Sequence, residues 1–239
     1  MPSILEANGT ASEFSRLLGK FADVPAISNC DIDSLRRAFY RCGPIDRRRA
    51  AEIFHANRTL QGRHDVWTEF YLEALTDFFL DYRDGGYVLA GASETTLLAW
   101  LGEGAGIANS GERRLALRLF FLAEDVSERF ERWILEAIKD NLLHHAERWS
   151  GEGLREPGRI DPLDMQLVRR VVCRGGAHAN GISRAAIDFL AELDRRVSTF
   201  RDDEVWRSIF TQAMASGLHV PPRHEGRVDG HERVSSSPA

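Results

Sequence analysis

The sequence predicts an all-α protein of about nine to ten helices, arranged as three diverged copies of one helical unit. Apolar residues recur every three or four positions between residues 66 and 82, which is the period of one buried helix face. The same pattern returns between residues 130 and 142 and again between residues 206 and 218. No segment alternates apolar and polar residues over a length that predicts a β-strand.

The three helices with this pattern also share an order of side-chain types, because each has an aromatic residue and then an alanine about two turns later. The aromatic residues are Trp67, Phe130 and Trp206, and the alanines are Ala74, Ala137 and Ala213. A small alanine lets a neighbouring helix approach closely, while the aromatic ring anchors the other end of the face. We therefore expect the aromatic stripes at Trp67, Trp133 and Trp206 to belong to the core rather than to a binding surface.

Residues 1–24 are expected to form a loose N-terminus that contains one short amphipathic helix. Ser12 is the candidate N-cap. The apolar stripe that follows consists of Phe14, Leu17, Leu18 and Phe21. Arg16 and Lys20 are the only cations of this stretch, so we expect the stripe to dock on the protein itself rather than on a membrane.

Residues 25–86 form the first predicted unit. Its expected helix starts are Asp33 and the N-cap Asp46, and its expected breaks are Gly43-Pro44 and Asp84-Gly85-Gly86. The helix of Trp67 is the third of this unit. It is predicted to continue to the second break and to bury Tyr82 on its apolar face.

Residues 87–150 form the second predicted unit, and residues 150–159 form a polar, glycine-rich linker after it. The expected helix starts are Ser93 and Ser110, with the glycine-rich turn 102–106 between them. The helix of Phe130 completes the unit.

Residues 159–220 form the third predicted unit. Asp161 is an N-cap followed by a proline at the first helical position, and Asp164 lies near the positive end of the same helix. Ser183 caps the next helix, and the helix of Trp206 closes the unit. Residues 221–239 are polar and rich in turn formers, and we expect a disordered tail.

A local turn recurs between the predicted helices: a glycine, an aliphatic residue close behind it, and a capping residue. The copies are Gly43-Pro44-Ile45-Asp46, Gly106-Ile107-Ala108-Asn109, Gly158-Arg159-Ile160-Asp161 and Gly181-Ile182-Ser183. Glycine adopts the left-handed conformation that ends one helix, the aliphatic side chain fills the gap, and the polar side chain caps the next helix.

This turn resembles the one in TerB-like (tellurite-resistance-type) helical domains, in which an Asp-Gly-x-Ile/Val-Asp-like turn joins two helices. The third unit also resembles the C-terminal part of an uncharacterised family of bacterial all-helical proteins. The motifs that carry this resemblance are Arg159-Ile160-Asp161, Ile182-Ser183-Arg184-Ala185 and Trp206 to Met214. The resemblance implies TerB-like helix-turn-helix packing, in a class of domain regarded as metal-associated or partner-binding.

The resemblance makes a metal site one hypothesis, but the acid expected before the turn glycine is missing from every copy. Those positions hold Cys42, Ala105, Pro157 and Asn180. A hard cation needs several oxygen ligands from one loop. Helix capping accounts for Asp46, Asp161 and Asp164 without a metal. We therefore favour capping and assign no metal ligands.

No set of residues typical of catalysis is found. His144 and His145 are adjacent, and their side chains would diverge by about 100° on a helix, so we do not expect them to share a metal. Cys173 with His55 or His178 would pair a nucleophile with a base, but no oxyanion or elbow motif accompanies them. The glycines of 102–106 lack the Lys-Ser/Thr of a phosphate-binding loop. We expect a protein that is not an enzyme and has no cofactor.

Residues 33–65 are rich in arginine, although the chain has a net charge of −5. The arginines are Arg36, Arg37, Arg41, Arg47, Arg48, Arg49, Arg58 and Arg63. The helix pair around Gly43 could present them to nucleic-acid phosphates. We favour a solvated face that pairs with acids of neighbouring helices. Arg47-Arg48-Arg49 begin a helix, where positive charge is unfavourable, so a compensating group is expected there.

The composition, with 43% apolar and 28% charged residues, is that of an ordinary globular protein. Cys30, Cys42 and Cys173 form no CxxC pair, which indicates a reducing compartment. No apolar run approaches the roughly 18 residues of a membrane span, and the N-terminus lacks the basic region of a signal peptide. We expect a cytoplasmic protein.

The remaining hypothesis is a non-catalytic protein–protein interaction or scaffold module, whose stacked units leave an extended face for a protein partner. A groove between units, around Gly85 and Gly153, is its expected site. A metal-associated TerB-like stress-response module is the alternative. Nucleic-acid binding through the arginine-rich first unit is the third hypothesis, and nucleic acid is the partner that we expect least.

Overall fold

The computed structural model describes residues 13–21, 27–41, 43–60, 65–102, 109–147, 149, 154, 156–174, 182–197 and 204–217. This part of the chain forms ten α-helices and one two-stranded β-hairpin. The helices are α1 (Glu13–Phe21), α2 (Asn29–Tyr40), α3 (Arg47–Thr59), α4 (Asp65–Phe79), α5 (Gly91–Leu101), α6 (Ser110–Leu122), α7 (Glu128–His144), α8 (Pro162–Cys173), α9 (Arg184–Arg196) and α10 (Glu204–Gly217). The predicted fold class and helix number are confirmed. None of the described helices combines the length and the apolar character that a membrane crossing requires. The predicted tail, 221–239, lies outside the described residues.

The helix starts follow side-chain caps. Asp46, Asp161 and Ser183 accept backbone N–H groups at the starts of α3, α8 and α9, as predicted. The predicted start of α2 at Asp33 is wrong by about one turn. Ser28 caps α2 instead, because its hydroxyl accepts the backbone N–H of Asp31 while the Asp31 carboxylate accepts the backbone N–H of Ser28.

Two other helix starts involve residues of the second predicted unit. Helix α5 begins at Gly91 rather than at Ser93, after the N-cap position Ala90, which makes no side-chain cap. Helix α6 begins at Ser110, as predicted, and its N-cap Asn109 accepts the backbone N–H of Glu112.

The glycine turns adopt the expected backbone where they are described. Gly43 has φ +82° and Gly158 has φ +75°, both in the left-handed region. Gly106 and Gly181, the glycines of the other two copies, lie outside the described residues.

The expectation that the chain contains no strand is wrong between residues 80 and 89. Helix α4 ends at Phe79, and β1 (Leu80–Arg83) pairs antiparallel with β2 (Gly86–Leu89). The turn residues Asp84 and Gly85 have φ of +49° and +97°, as in the type I′ turn that joins two twisted strands tightly. Tyr82, predicted to be buried on the helix face, lies on β1 and is 67% exposed.

The packing of the helices repeats along the chain. Helix α4 packs on α3 and on α6, and α7 packs on α6 and on α9. In each predicted unit the third helix therefore contacts the second helix of its own unit, and α4 and α7 also contact the second helix of the next unit. Stacked repeats produce this arrangement. The hairpin spans the predicted boundary between residues 86 and 87.

The core contains the three aromatic anchors. Trp67, Phe130 and Trp206 are at most 1% exposed. The prediction that the aromatic stripes belong to the core is confirmed at Trp67 and Trp206, whereas Trp133 is only partly buried and packs against the core. Helix α1 also docks on the body, as predicted, because Phe14 and Phe21 are buried and the Phe14 ring lies 5.1 Å from the ring of Phe39. Ser12, its expected cap, lies outside the described residues.

Candidate interaction surface

A groove of about 530 Å³ lies on the surface between α1 and α3. Residues of α1 form one wall, residues of α3 form the other, and Leu60 closes one end. Its lining consists of Ser15, Leu18, Gly19, Arg48, Ala51, Glu52, His55, Ala56, Thr59 and Leu60. The groove is lined mainly by small and aliphatic groups, which suits an apolar ligand.

The groove exists because α1 is anchored on one side only. Phe14 and Phe21 point into the core, whereas Leu18 is half-buried at the groove. Across from Leu18, α3 presents the small side chains of Ala51 and Ala56. Gly19 also lines the groove and is exposed, and an added Cβ at this position would meet no atom within 4 Å.

The charged side chains Arg48 and Glu52 of the groove pair with each other, and Glu52 also binds Ser15 of the opposite wall. The Glu52 carboxylate accepts a hydrogen bond of 2.7 Å from the Ser15 hydroxyl and one of 3.2 Å from Arg48 Nε. His55 is exposed, and its ring meets the ring of Phe54 edge-on at 5.9 Å. With its polar groups paired in this way, the groove offers apolar contact rather than an activated nucleophile.

A buried polar network joins α3, α4 and α6 behind this surface. Trp67 Nε1 donates to Asn57 Oδ1 at 3.1 Å, and Asn57 Nδ2 donates to Asn109 Oδ1 at 3.0 Å. Glu112, which is fully buried, accepts from Asn109 Nδ2 at 3.0 Å and from Arg58 Nε at 2.8 Å. Three of these four hydrogen bonds join different helices, so the network fixes α3, α4 and α6 against each other. The sequence placed Asn57 on the helix face but gave no sign of its partners.

Tyr71 lies on α4 close to this network and is fully buried. Within the described part of the chain, no group forms a hydrogen bond with its hydroxyl. Burial raises the pKa of Tyr71 well above its ordinary value, and the negative charge of Glu112 acts in the same direction. The hydroxyl therefore stays protonated.

The arginine cluster is largely engaged in contacts within the protein. Arg36 pairs with Glu73 of α4 at 2.8 Å, Arg41 with Glu13 of α1 at 3.6 Å, and Arg58 with Glu112 of α6 at 2.8 Å. These are the pairs with acids of neighbouring helices that the favoured interpretation predicts. Arg63 lies outside the described residues.

Arg49 supplies the compensation expected at the start of α3. Its guanidinium bends back and donates to the carbonyl of Phe39, at 2.6 Å, and to the carbonyl of Pro44. It also pairs with the cap residue Asp46 at 3.0 Å. The charge therefore lies beside the carbonyl end of α2, where a cation is favourable, rather than along the axis of its own helix.

The aspartates considered as metal ligands act as caps. Asp161 accepts the backbone N–H groups of Leu163 and Asp164, and the buried Asp164 accepts the backbone N–H of Asp161. In the part of the chain that the structure describes, no three His, Cys, Asp or Glu side chains are grouped closely enough to hold a metal ion.

His144 and His145 converge on one carboxylate, a contact that the sequence did not indicate. His144 Nδ1 lies 2.9 Å from one oxygen of Asp140, and His145 Nε2 lies 3.0 Å from the other. They converge because α7 ends between them, so His145 has left the helical path. Partial burial acts to raise the pKa of Asp140, but its contacts with the two histidines outweigh burial and lower the pKa.

The nucleophile and base considered from sequence are not seen together. His55 lies at the groove, and Cys173 is exposed at the end of α8. His178 lies outside the described residues. The sequence predicts a groove between units around Gly85 and Gly153. Gly85 lies in the turn of the hairpin, and Gly153 lies outside the described residues.

Comparison of the chain with protein-family models, curated proteins and solved structures gives no match. The resemblance to TerB-like domains therefore stays a prediction, which rests on the recurring glycine turn and on the motifs of the third predicted unit.

Proposed function

We propose that the chain is a non-catalytic protein-interaction module and that the groove between α1 and α3 binds an apolar segment of a partner protein. The observation that carries this proposal is the unfilled apolar space between two surface helices, with small side chains on both sides. An amphipathic segment that inserts aliphatic side chains beside Leu18, Ala51 and Ala56 would bury surface that otherwise faces water.

The polarity of the lining favours a protein segment over a small metabolite. Sites for small molecules hold a few polar groups that orient the ligand. At this groove Glu52 binds both Ser15 and Arg48, so these three polar side chains are engaged with one another. The rest of the lining is mainly apolar, so the groove would select a partner segment by its shape and hydrophobicity.

The test is capture of partners from the native host with the protein as bait after mild crosslinking. Ala51→Arg places a long charged side chain in the groove, and Ala215→Arg places the same side chain on an exposed position of α10. We expect a stoichiometric companion to be captured by wild type and Ala215→Arg, and its yield to fall about tenfold or more with Ala51→Arg.

Circular dichroism and thermal unfolding of both variants establish that they are folded before capture. A companion retained by folded Ala51→Arg protein would show that binding occurs elsewhere on the chain. Capture of no companion by wild type would contradict a constitutive interaction module.

A further inference from the structure

The hairpin has one covered edge and one open edge, and its register shows which backbone groups lie on each. In a hairpin with a two-residue turn, the residues that flank the turn, Arg83 and Gly86, exchange hydrogen bonds. The next pair, Tyr82 and Tyr87, does not, so the N–H and C=O groups of both tyrosines point away from the hairpin. The contact at Tyr87 is consistent with this outward orientation, because the Tyr87 carbonyl accepts the backbone N–H of Glu124 at 2.7 Å.

The outer edge of β2 is covered by this contact with the segment after α6, where Tyr87 and Ala123 form a parallel bridge. On the other side, no backbone hydrogen bond from another described segment reaches Tyr82. The N–H and C=O of Tyr82 therefore form a short open edge. Such an edge is a template for pairing with another strand.

The side chains around this edge are self-complementary. Asp81, Tyr82 and Arg83 place an acid and a base symmetrically about a central aromatic residue. If β1 meets β1 of a second copy in antiparallel register centred on Tyr82, Asp81 of each copy lies opposite Arg83 of the other. Two-fold contacts use the same patch on both partners, so this alternation of charges suits a second copy of the chain.

We propose that β1 pairs with β1 of a second copy about a two-fold axis at Tyr82, which forms a four-stranded sheet across a homodimer. The two Tyr82 residues exchange a pair of backbone hydrogen bonds at the axis. The Asp81–Arg83 ion pair within each strand, at 2.7 Å and with both side chains more than half exposed, is replaced by two pairs between copies.

The aromatic rings add an apolar component on one face of the sheet. Tyr82 is 67% and Tyr87 41% exposed, and their rings contact each other edge-on at 5.3 Å. In the dimer the two Tyr82 rings lie next to each other, with one Tyr87 ring on either side. The four rings form a row across the two-fold axis, on one face of the sheet. The contact is small, so the dimer is reversible and depends on concentration.

The test is sedimentation velocity of the full chain over a concentration series, with charge-reversal variants. Asp81→Arg places like charges opposite each other in the homodimer, and Arg83→Asp does the same with the opposite sign. Because two cross-strand pairs become repulsive, we expect each single variant to weaken the dimer about tenfold or more.

Two matched experiments separate this pairing from a general charge effect. The double variant Asp81→Arg/Arg83→Asp restores opposite charges across the axis and has the composition of the wild type, so it should dimerise like the wild type. An equimolar mixture of the two single variants should form heterodimers. A wild type that remains monomeric throughout the series would overturn the proposal, and so would single variants that dimerise as well as the wild type.

Discussion

Gly111 lies in the first turn of α6 directly against the side-chain amide of Asn57. A Cβ at Gly111 would lie 2.7 Å from Asn57 Nδ2, closer than carbon and nitrogen approach in proteins. The amide is not free to move aside, because it accepts from Trp67 and donates to Asn109. The absence of a side chain at Gly111 therefore allows the buried network to form.

We expect Gly111→Ala to destabilise the protein by about 1–3 kcal/mol, because the added methyl group displaces a buried amide from its hydrogen bonds. Urea unfolding at neutral pH gives the free energy of unfolding. Gly91→Ala is the matched control, because a Cβ at Gly91 meets no atom within 4 Å and alanine is the better helix former. Equal stability of the two variants would mean that Asn57 has another acceptable position.

Residues that cap helices can be predicted from sequence, whereas the partners in the buried network cannot. The caps Asp46, Asp161 and Ser183 were identified because a cap and its helix are close neighbours in sequence. The partners of Asn57 were not, because Asn109 lies on a distant segment and the hydrogen bond depends on how α3 and α6 pack. The groove was missed for the same reason, since it depends on where α1 docks.

Single elements were predicted where the signal was periodic. The helices α3, α4, α7 and α8 follow their apolar spacing, and α2 and α5 differ from the prediction at their starts. The sequence predicts a longer α4 in place of the hairpin because Asp84-Gly85 stops a helix as well as it turns a hairpin. Four-residue strands are too short for alternation to distinguish these two outcomes.

The turn of the hairpin gives a test at this scale. Gly85 has φ +97°, a conformation that is costly for other residues, so we expect Gly85→Ala to destabilise the protein by about 1–2 kcal/mol. Asp84→Asn should be nearly neutral, because asparagine adopts the left-handed conformation readily. Thermal unfolding compares the two variants. A Gly85→Ala protein as stable as wild type would be inconsistent with a type I′ turn.

At the scale of the whole molecule, the second and third predicted units are joined by a pair that crosses between α7 and α9. Lys139 Nζ lies 2.7 Å from Glu192 and 2.6 Å from Glu136, and the lysine side chain is only 12% exposed. The hydrogen bond from Lys139 lowers the pKa of Glu192. Burial acts to lower the pKa of Lys139, but the two carboxylates raise it by more.

A double-mutant cycle with Lys139→Met and Glu192→Gln should give a coupling free energy of about 1 kcal/mol at pH 7. The pKa of Glu192 is lowered from 4.5, so its contribution is lost as the pH falls through the folded value, below 4.5. The pKa of Lys139 is raised from 10.5, so its contribution is lost as the pH rises through the folded value, above 10.5.

The exposed pair Arg184–Asp188 of α9 is the control for this cycle and should show little coupling at any pH. Equal coupling for the two pairs would mean that the Lys139 contact does not join α7 to α9. Chemical denaturation in buffers between about pH 3 and pH 7 measures how the coupling free energy is lost as Glu192 becomes protonated.

The segment that follows α6 has a consequence for how the chain can be divided. The N–H of Glu124 donates to the hairpin, while the carbonyl of Ala123 accepts from Arg174, the residue that follows α8, whose guanidinium lies 4.4 Å from the centre of the Phe120 ring. Both contacts are made by one peptide group, that between Ala123 and Glu124, which links the hairpin at the boundary of the first and second predicted units to Arg174 of the third. A fragment cut between residues 86 and 87 would separate β1 from most of β2, and one cut within residues 150–159 would leave the Ala123 carbonyl without Arg174 and uncover the Phe120 ring. The predicted units are therefore not interchangeable modules, because removal of the first or the third breaks a contact on which the second depends.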